Sequence, residues 1–298
     1  MLDQITGFHL EPTNICTLKC PRCARTKFIE QFPKSWKNKQ LNLEHLKTFL
    51  DIDLTGKTFA LCGVEGDPIY HNQIKELIEW IKGAGAHVAL TTNGSYQRPR
   101  FWHELAELLD EKDTVTFAVD GTPENFTQYR INGDWDSIKI AMEYMSQSAA
   151  HTIWKYIPFS FNKDTVEQAR DLCNEIGLSE FVIENSDRWD GEDDPLHPGD
   201  RIGDRELARI HWAENSKIDI APKCTQQNNQ HYISAGGIYT PCCYVADWRF
   251  YYKSQFHQEN FRYDISTTTI TKLLNDMSGF YNTLEQDKHS YCTFNCPK

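Results

Sequence analysis

The sequence predicts an α/β protein: a partial (β/α)6 TIM-like barrel followed by a small C-terminal cysteine-rich domain. Three observations lead there. Short apolar runs alternate with amphipathic helical runs through the first 187 residues, and such alternation builds a parallel sheet with crossover helices. Six of these units fall short of the eight that close a barrel. Beyond residue 222 the pattern changes to short strands that carry five cysteines.

Local chemistry sets each element. Residues 5–11 read as a first strand, ended by Pro12. Residues 42–50 read as a helix and 58–62 as a short apolar strand. Asn72 is expected to cap a helix whose Ile74, Leu77, Ile78 and Ile81 keep the spacing of one buried face. Gly83 and Gly85 then stop it. Residues 87–92 form a third strand, closed by Asn93-Gly94. Pro99 opens a helix to residue 109, with Trp102, Leu105 and Leu109 on one face. Residues 114–119 are a strand ending at Asp120-Gly121, 135–145 a helix and 152–161 a strand. Asp164 is expected to cap a helix that turns Val166, Ala169, Cys173 and Ile176 inward and ends at Gly177. Residues 181–184 are the sixth strand.

From 188 to 222 the pattern breaks into an acidic, turn-rich stretch that reads as a linker or surface loop, with one short helix over 206–213. A strand at 231–234 and a helix at 269–277 are expected beyond it. The expected division is therefore 1–187, 188–222 and 223–298.

Composition excludes some functions. At 40% hydrophobic and 24% charged residues the chain is an ordinary globular one, able to bury a sizeable core. Its 31 Lys+Arg face 42 Asp+Glu, a net charge of −11. Such a surface argues against nucleic acid or an anionic membrane as the main partner, and so against an RNA-modifying enzyme. There is no apolar run of about 18 residues to span a membrane. No basic-then-apolar export segment is visible, so a cytoplasmic location is expected. Thiols stay reduced there, and grouped cysteines read as metal ligands rather than disulfides. Cys62 and Cys173 stand alone and read as small core residues.

The first group is Cys16-Thr17-Leu18-Lys19-Cys20-Pro21-Arg22-Cys23, a C-x3-C-x2-C loop after the first strand. Three thiolates this close can hold three corners of a four-iron cluster, leaving one iron for a chelating ligand. The alternative is zinc, which asks for four ligands; His9 is the nearest fourth, but it lies inside the strand.

On these residues the sequence resembles the radical S-adenosylmethionine (SAM) superfamily, whose signature is this loop on an α/β partial barrel. The likeness spans about residues 8–188. Gly63-Val64-Glu65-Gly66-Asp67-Pro68 is similar to the family's Gly-Gly-Glu-Pro, with Asp67 at the acidic position when aligned on Pro68. Thr91-Thr92-Asn93-Gly94 matches the family's third strand ending. Val119-Asp120-Gly121, with Arg130 and Gly133 downstream, resembles the fourth strand of the peptide-modifying branch. Phe161-Asn162-Lys163 resembles the fifth strand of a subgroup with an extra cluster.

The resemblance implies a SAM-binding [4Fe–4S] cluster on Cys16, Cys20 and Cys23. It implies that Gly66, Asp67 and Pro68 bind the SAM amino group through backbone carbonyls or the carboxylate, with Asn93 beside them. It offers Asp120 for the ribose, Asn162 as a further hydrogen bond and Arg188 for the SAM carboxylate. Bland alternatives stand beside these. Asp120 can open a turn, Asn162 can precede a helix cap, and Arg188 can pair with Asp187 or Asp190. Arg22 departs from the family, which commonly has an apolar or aromatic residue there. It is either a stacking guanidinium or a solvated loop cation. Tyr129 and Arg130 read as structural, and His9 and His71 as surface or edge residues.

The second group is C-terminal. Cys224, Gly237 and Cys242 form C-x12-G-x4-C, and Cys292 and Cys296 form C-x3-C. This resembles the auxiliary-cluster domain called SPASM, or its shorter one-cluster form, twitch. It implies that Cys224, Cys242, Cys292 and Cys296 coordinate an auxiliary [4Fe–4S] cluster, with Cys243 packing inward or exchanging roles with Cys242. A four-cysteine zinc knuckle is the alternative.

The activity so implied is reductive cleavage of SAM to a 5′-deoxyadenosyl radical. That radical would abstract a hydrogen from a peptide side chain or a small metabolite, leading to oxidation or crosslinking. The electron would come from a donor such as flavodoxin or ferredoxin. The rival reading is a non-catalytic zinc or iron–sulfur protein that binds metal or carries electrons.

Overall fold

The structure is a computed structural model that describes residues 2, 5–186, 188–189, 191–200, 202–203, 205–206, 231–283, 292 and 296. Six parallel strands carry the scaffold: β1 (Gly7–Leu10), β2 (Thr58–Leu61), β3 (His87–Thr92), β4 (Thr114–Ala118), β5 (His151–Tyr156) and β6 (Glu180–Asn185). Three short ones extend it: β7 (Arg205–Glu206), β8 (His231–Ile233) and β9 (Tyr239–Thr240). The sheet runs β7-β6-β5-β4-β3-β2-β1-β8-β9, open rather than closed. Helices α1 (Ala24–Gln31), α2 (Leu43–Phe49), α3 (Ile74–Gly83), α4 (Pro99–Leu108), α5 (Trp135–Ser146) and α6 (Val166–Ile176) fall between the first six strands.

Period-two burial along the strands builds the core. Phe59 and Leu61, Val88 and Leu90, Val115 and Phe117, and Trp154 and Tyr156 are buried. The register Leu61↔Leu90 and Leu90↔Val115 sets them side by side. Ile74, Leu77, Ile78 and Ile81 of α3 are buried as their spacing predicts. Cys173 is a buried core residue of α6, and Gly177, at φ +87°, ends that helix in the left-handed conformation a glycine adopts freely.

The expected C-terminal strand is present as β8, which lies parallel to β1, with Phe8↔His231 and Leu10↔Ile233, and β9 returns antiparallel. Their burial covers an edge of β1 that would otherwise stay unpaired. Several expectations need correction. Asn72 is not the cap of α3. The helix starts at Ile74 after Gln73, and the Asn72 N–H instead donates to Gln40 Oε1 at 3.0 Å. Asp164 lies inside a 3-10 turn (Lys163–Thr165), and Thr165 precedes α6. Strand β5 stops at Tyr156, not at residue 161. Glu206 belongs to β7, while residues 207–213 of the expected helix lie outside the described residues. His71 is buried, its Nε2 2.9 Å from the Leu41 carbonyl, and His9 is half-buried, its Nε2 2.6 Å from the Cys62 carbonyl. The expected helix near the end is present as Ile270–Asp276, capped by Thr269. No described helix is long and apolar enough to cross a membrane.

Candidate cluster and cofactor site

In a parallel sheet the loops after the strands share one edge, and ligands sit there. The loop after β1 is held first by backbone. Leu41 N–H donates to the Pro12 carbonyl at 2.8 Å, and Lys39 N–H to Asn14 Oδ1 at 2.7 Å. The loop after β2 is pressed onto it. A Cβ on Gly66 would lie 1.9 Å from the Thr13 carbonyl oxygen, and one on Gly63 would lie 2.1 Å from that of Gly66. Only glycine permits both approaches. Asp67 N–H then donates to the Ile15 carbonyl at 2.9 Å, one residue before Cys16.

Cys20 is buried, and Cys16 and Cys23 are half-buried. Leu18 N–H points at Cys16 Sγ (3.4 Å), as does Asn93 Nδ2 (3.6 Å). Arg130 Nη1 lies 3.9 Å from Cys20 Sγ. Burial pushes the Cys16 thiol up to about 12, helped by Asp67 and by the thiols of Cys20 and Cys23. Burial also raises the Cys20 thiol, against the pull of Arg130. The raised Cys16 and Cys20 thiols become thiolates only beside a strongly positive group, and with Cys23 next to them the donor set fits an iron–sulfur cluster. Among the described residues no three His, Cys, Asp or Glu side chains surround one ion. A four-iron cluster asks for one thiolate per iron instead. Leu18, Tyr129, Ile157 and Phe159 pack with Cys20, and Phe161, Trp189 and Leu196 join them, so this wall is apolar.

The expected SAM residues divide into two groups. The first stands beside Cys16. The buried Asp67 carboxylate accepts from Asn93 N–H (2.6 Å), Asn93 Nδ2 (2.5 Å), Thr92 Oγ1 (2.9 Å) and Ile69 N–H (3.2 Å). Burial pushes it up to about 6 despite these donors. Asp67 thus ties the β2 loop to the end of β3, with Pro68 opening the next 3-10 turn. Its carboxylate is engaged, and the Asp67 and Pro68 carbonyls accept the N–H groups of Tyr70 (3.1 Å) and His71 (3.0 Å).

The second group stands beside Cys20. Asp120 Oδ1 accepts Ile157 N–H at 3.0 Å and Oδ2 accepts Arg130 Nε at 2.7 Å. Arg188 is exposed and donates from Nη1 to Tyr129 Oη at 3.3 Å. Its alternative partners Asp187 and Asp190 lie outside the described residues. Asn162 is buried in its own turn, accepting Phe159 N–H at 2.6 Å and donating to the Ile157 carbonyl at 3.0 Å.

Tyr129 and Arg130 do more than pack, because they connect Asp120 and Arg188 to the Cys20 sulfur. The signal was the acidic residue at 120 and the arginine ten positions on. Arg22 is not a solvated cation: it pairs with buried Asp194. The described part of the acidic stretch packs on the barrel, as its surface-loop alternative expects. Its Leu196 carbonyl accepts Ser160 N–H at 3.3 Å, and its Pro198 carbonyl accepts Lys163 Nζ at 3.0 Å.

At the C-terminal end Cys224 lies outside the described residues. Gly237, at φ +75°, turns the β8–β9 hairpin. Cys292 and Cys296 are buried, Cys296 N–H donating to the Cys292 carbonyl at 2.8 Å. Burial, and then the thiols of Cys243, Cys296 and Cys242, push Tyr244 up to about 12. Cys296 and Cys242 therefore both lie near Tyr244, Cys242 standing between β9 and the helix Cys243–Ala246.

Residues 10–176 match the family described as the radical SAM superfamily. The chain belongs to the radical SAM superfamily. As a radical SAM enzyme it uses SAM and a four-iron cluster to start radical chemistry. No curated protein sequence matches it. Among solved structures it is similar to SuiB of Streptococcus suis bound to the precursor peptide SuiA. That likeness has a TM-score of 0.65 at 12% identity, over 98% of this chain and 69% of SuiB. SuiB bound to SAM gives 0.57 at 12% identity, over 97% and 72%. BtrN in complex with AdoMet and 2-DOIA gives 0.52 at 14% identity, over 100% and 95%. At these identities the likeness is one of fold.

Proposed function

We propose that this radical SAM enzyme holds its cluster on Cys16, Cys20 and Cys23 and oxidises or crosslinks a peptide side chain or a small metabolite. The observation that carries this is three neighbouring thiols, two of them raised by burial, on a loop locked to Gly66 and Asp67. When bound, the cluster supplies one electron to the sulfonium of a SAM chelated through its amino and carboxylate groups. The protein's part is positioning and exclusion of water. The Gly63–Gly66 loop presents backbone carbonyls to the amino group, Asp67 and Asn93 fix that loop, and Arg188 is the candidate partner for the SAM carboxylate. Asp120 acts through Arg130.

A twitch-like auxiliary cluster on Cys224, Cys242, Cys292 and Cys296 would accept the electron left after hydrogen abstraction. A donor such as flavodoxin or ferredoxin, in a reducing cytoplasm, suits buried thiols. The likeness to SuiB with its peptide and to BtrN with its small molecule supports this pair of substrate classes.

The test is anaerobic reconstitution followed by dithionite and SAM. The wild type should release 5′-deoxyadenosine, and the triple Ala variant at Cys16, Cys20 and Cys23 should release none. Undiminished cleavage by that variant would overturn the assignment.

A further inference from the structure

The chain carries a net charge of −11, yet one of its faces is positive. A shallow depression there is lined by Lys75, Tyr96, Arg98, Arg100, Phe101 and Glu104. Its three cations meet one carboxylate. Glu104 pairs with Lys75 and, at 2.6 Å, with Arg100 Nε. Arg98 is exposed and makes no ion pair among the described residues.

Direct contacts set this face beside the cluster loop. Thr17 follows Cys16, and its hydroxyl lies 2.9 Å from Tyr70 Oη. Tyr70 Oη in turn donates to the Ser95 carbonyl at 2.5 Å, and Tyr96 is the next residue. Gln97 Nε2 donates to the Ile69 carbonyl at 2.7 Å. Residues 95 to 97 therefore lie against the segment that follows Asp67. The loop itself adds a cation: Lys19 is exposed and makes no ion pair among the described residues.

Two features of the face run against local folding preference. Arg98 and Arg100 stand at the start of α4, whose first turn holds no acidic residue, although the helix dipole disfavours cations there. Tyr96 sits at φ +64°, in the left-handed region that strains a bulky residue. Its ring covers no core, being 51% exposed. An exposed aromatic ring among arginines is the composition of a protein-docking face.

We propose that this face docks an acidic one-electron carrier protein, with Arg98, Arg100 and Lys75 against its carboxylates and Tyr96 between them. This rests on the reading of the loop from Cys16 to Cys23 as the cluster loop. In the transfer the carrier is oxidised by one electron and the cluster is reduced by one, and no bond forms or breaks. The positive patch draws an anionic carrier to the one side of an acidic protein from which the cluster loop is reached through Ser95, Tyr70 and Thr17.

The experiment titrates anaerobic holoprotein calorimetrically with flavodoxin, an acidic carrier. It also follows 5′-deoxyadenosine release driven by reduced flavodoxin and, separately, by dithionite. Binding should weaken as KCl is raised. Arg98→Glu should weaken it roughly tenfold and raise the flavodoxin KM by the same factor, with the dithionite-driven rate unchanged. Tyr96→Gly should weaken binding too, while its thermal unfolding shows it at least as stable as the wild type, because glycine adopts that φ freely. Both changes suit the local backbone, so misfolding does not account for a loss. No binding of flavodoxin, binding indifferent to salt, variants with wild-type affinity, or equal losses with dithionite would each overturn the proposal. Capture of a polyglutamate peptide in place of flavodoxin would assign the face to an acidic peptide and overturn it as well. Failure of dithionite to drive cleavage by the wild type would overturn the cluster assignment, and calorimetry would still decide the docking face.

Discussion

Arg130 meets Asp120 through two nitrogens of one guanidinium, Nε and Nη2, each 2.7 Å from the same carboxylate oxygen. Both side chains are largely out of water, at 12% and 1% exposure. The third nitrogen, Nη1, points at the Cys20 sulfur. A charge pair that is buried and shared in this way is costly to break from one side.

Arg130→Met is therefore expected to destabilise the fold by roughly 3–5 kcal/mol, because it leaves the Asp120 carboxylate uncompensated. Arg130→Met combined with Asp120→Leu should recover much of that loss. Denaturant unfolding of the two single variants and the double one checks this. Additive losses would mean that the pair is not coupled.

The two loop glycines give a contrast within one protein. Ala at position 66 or 63 drives a methyl into a backbone carbonyl, which should cost about 1–3 kcal/mol and shift the SAM segment. Gly83→Ala meets nothing within 4 Å at the end of α3 and should be neutral or stabilising by about 0.5–1 kcal/mol. Thermal unfolding and SAM affinity of the three variants separate packing from a general intolerance of substitution.

Asp67 supplies a pH signature. Its folded carboxyl sits at about 6, above the ordinary 3.8, mainly through burial. The folded state therefore holds this proton more tightly than the unfolded state. The contribution is fully present below about pH 4 and lost as pH rises to about 6, a swing of about 3 kcal/mol. Unfolding free energies of the wild type relative to Asp67→Asn, measured from pH 4 to 7, should fall by that order. A flat difference would show that the carboxylate is not desolvated.

Iron content tests the second cysteine group. Double replacement of Cys242 and Cys296 by Ala should remove about half of the roughly eight irons of a two-cluster protein, and leave 5′-deoxyadenosine release in place. Unchanged iron, or zinc in place of it, would remove the auxiliary cluster from the scheme.

Much of this was legible from one dimension. The buried stripe of α3 and the alternating strands β3 and β4 follow from spacing alone, since one face of each must leave water. The caps were less legible. Asn72 and Asp164 both stand near helix starts, but a 3-10 turn sits before each helix and shifts the first helical residue. Local sequence cannot weigh that turn against a cap. The pairing of β8 with β1 spans more than 200 residues, and nothing near either strand signals it. In the same way Asp194 finds Arg22, and Tyr129 joins the cluster wall, through contacts that only the folded chain creates.

The stitching of β8 onto β1 has a consequence for how this chain can be divided. A fragment ending near residue 187 would bare the flank of its first strand and deprive the Glu11 carboxylate of the Tyr232 phenol. Such a fragment is better suited to sticking to its own kind than to standing as a miniature catalyst. Front and rear share one sheet, so truncation behind β6 removes a strand from the flank of β1.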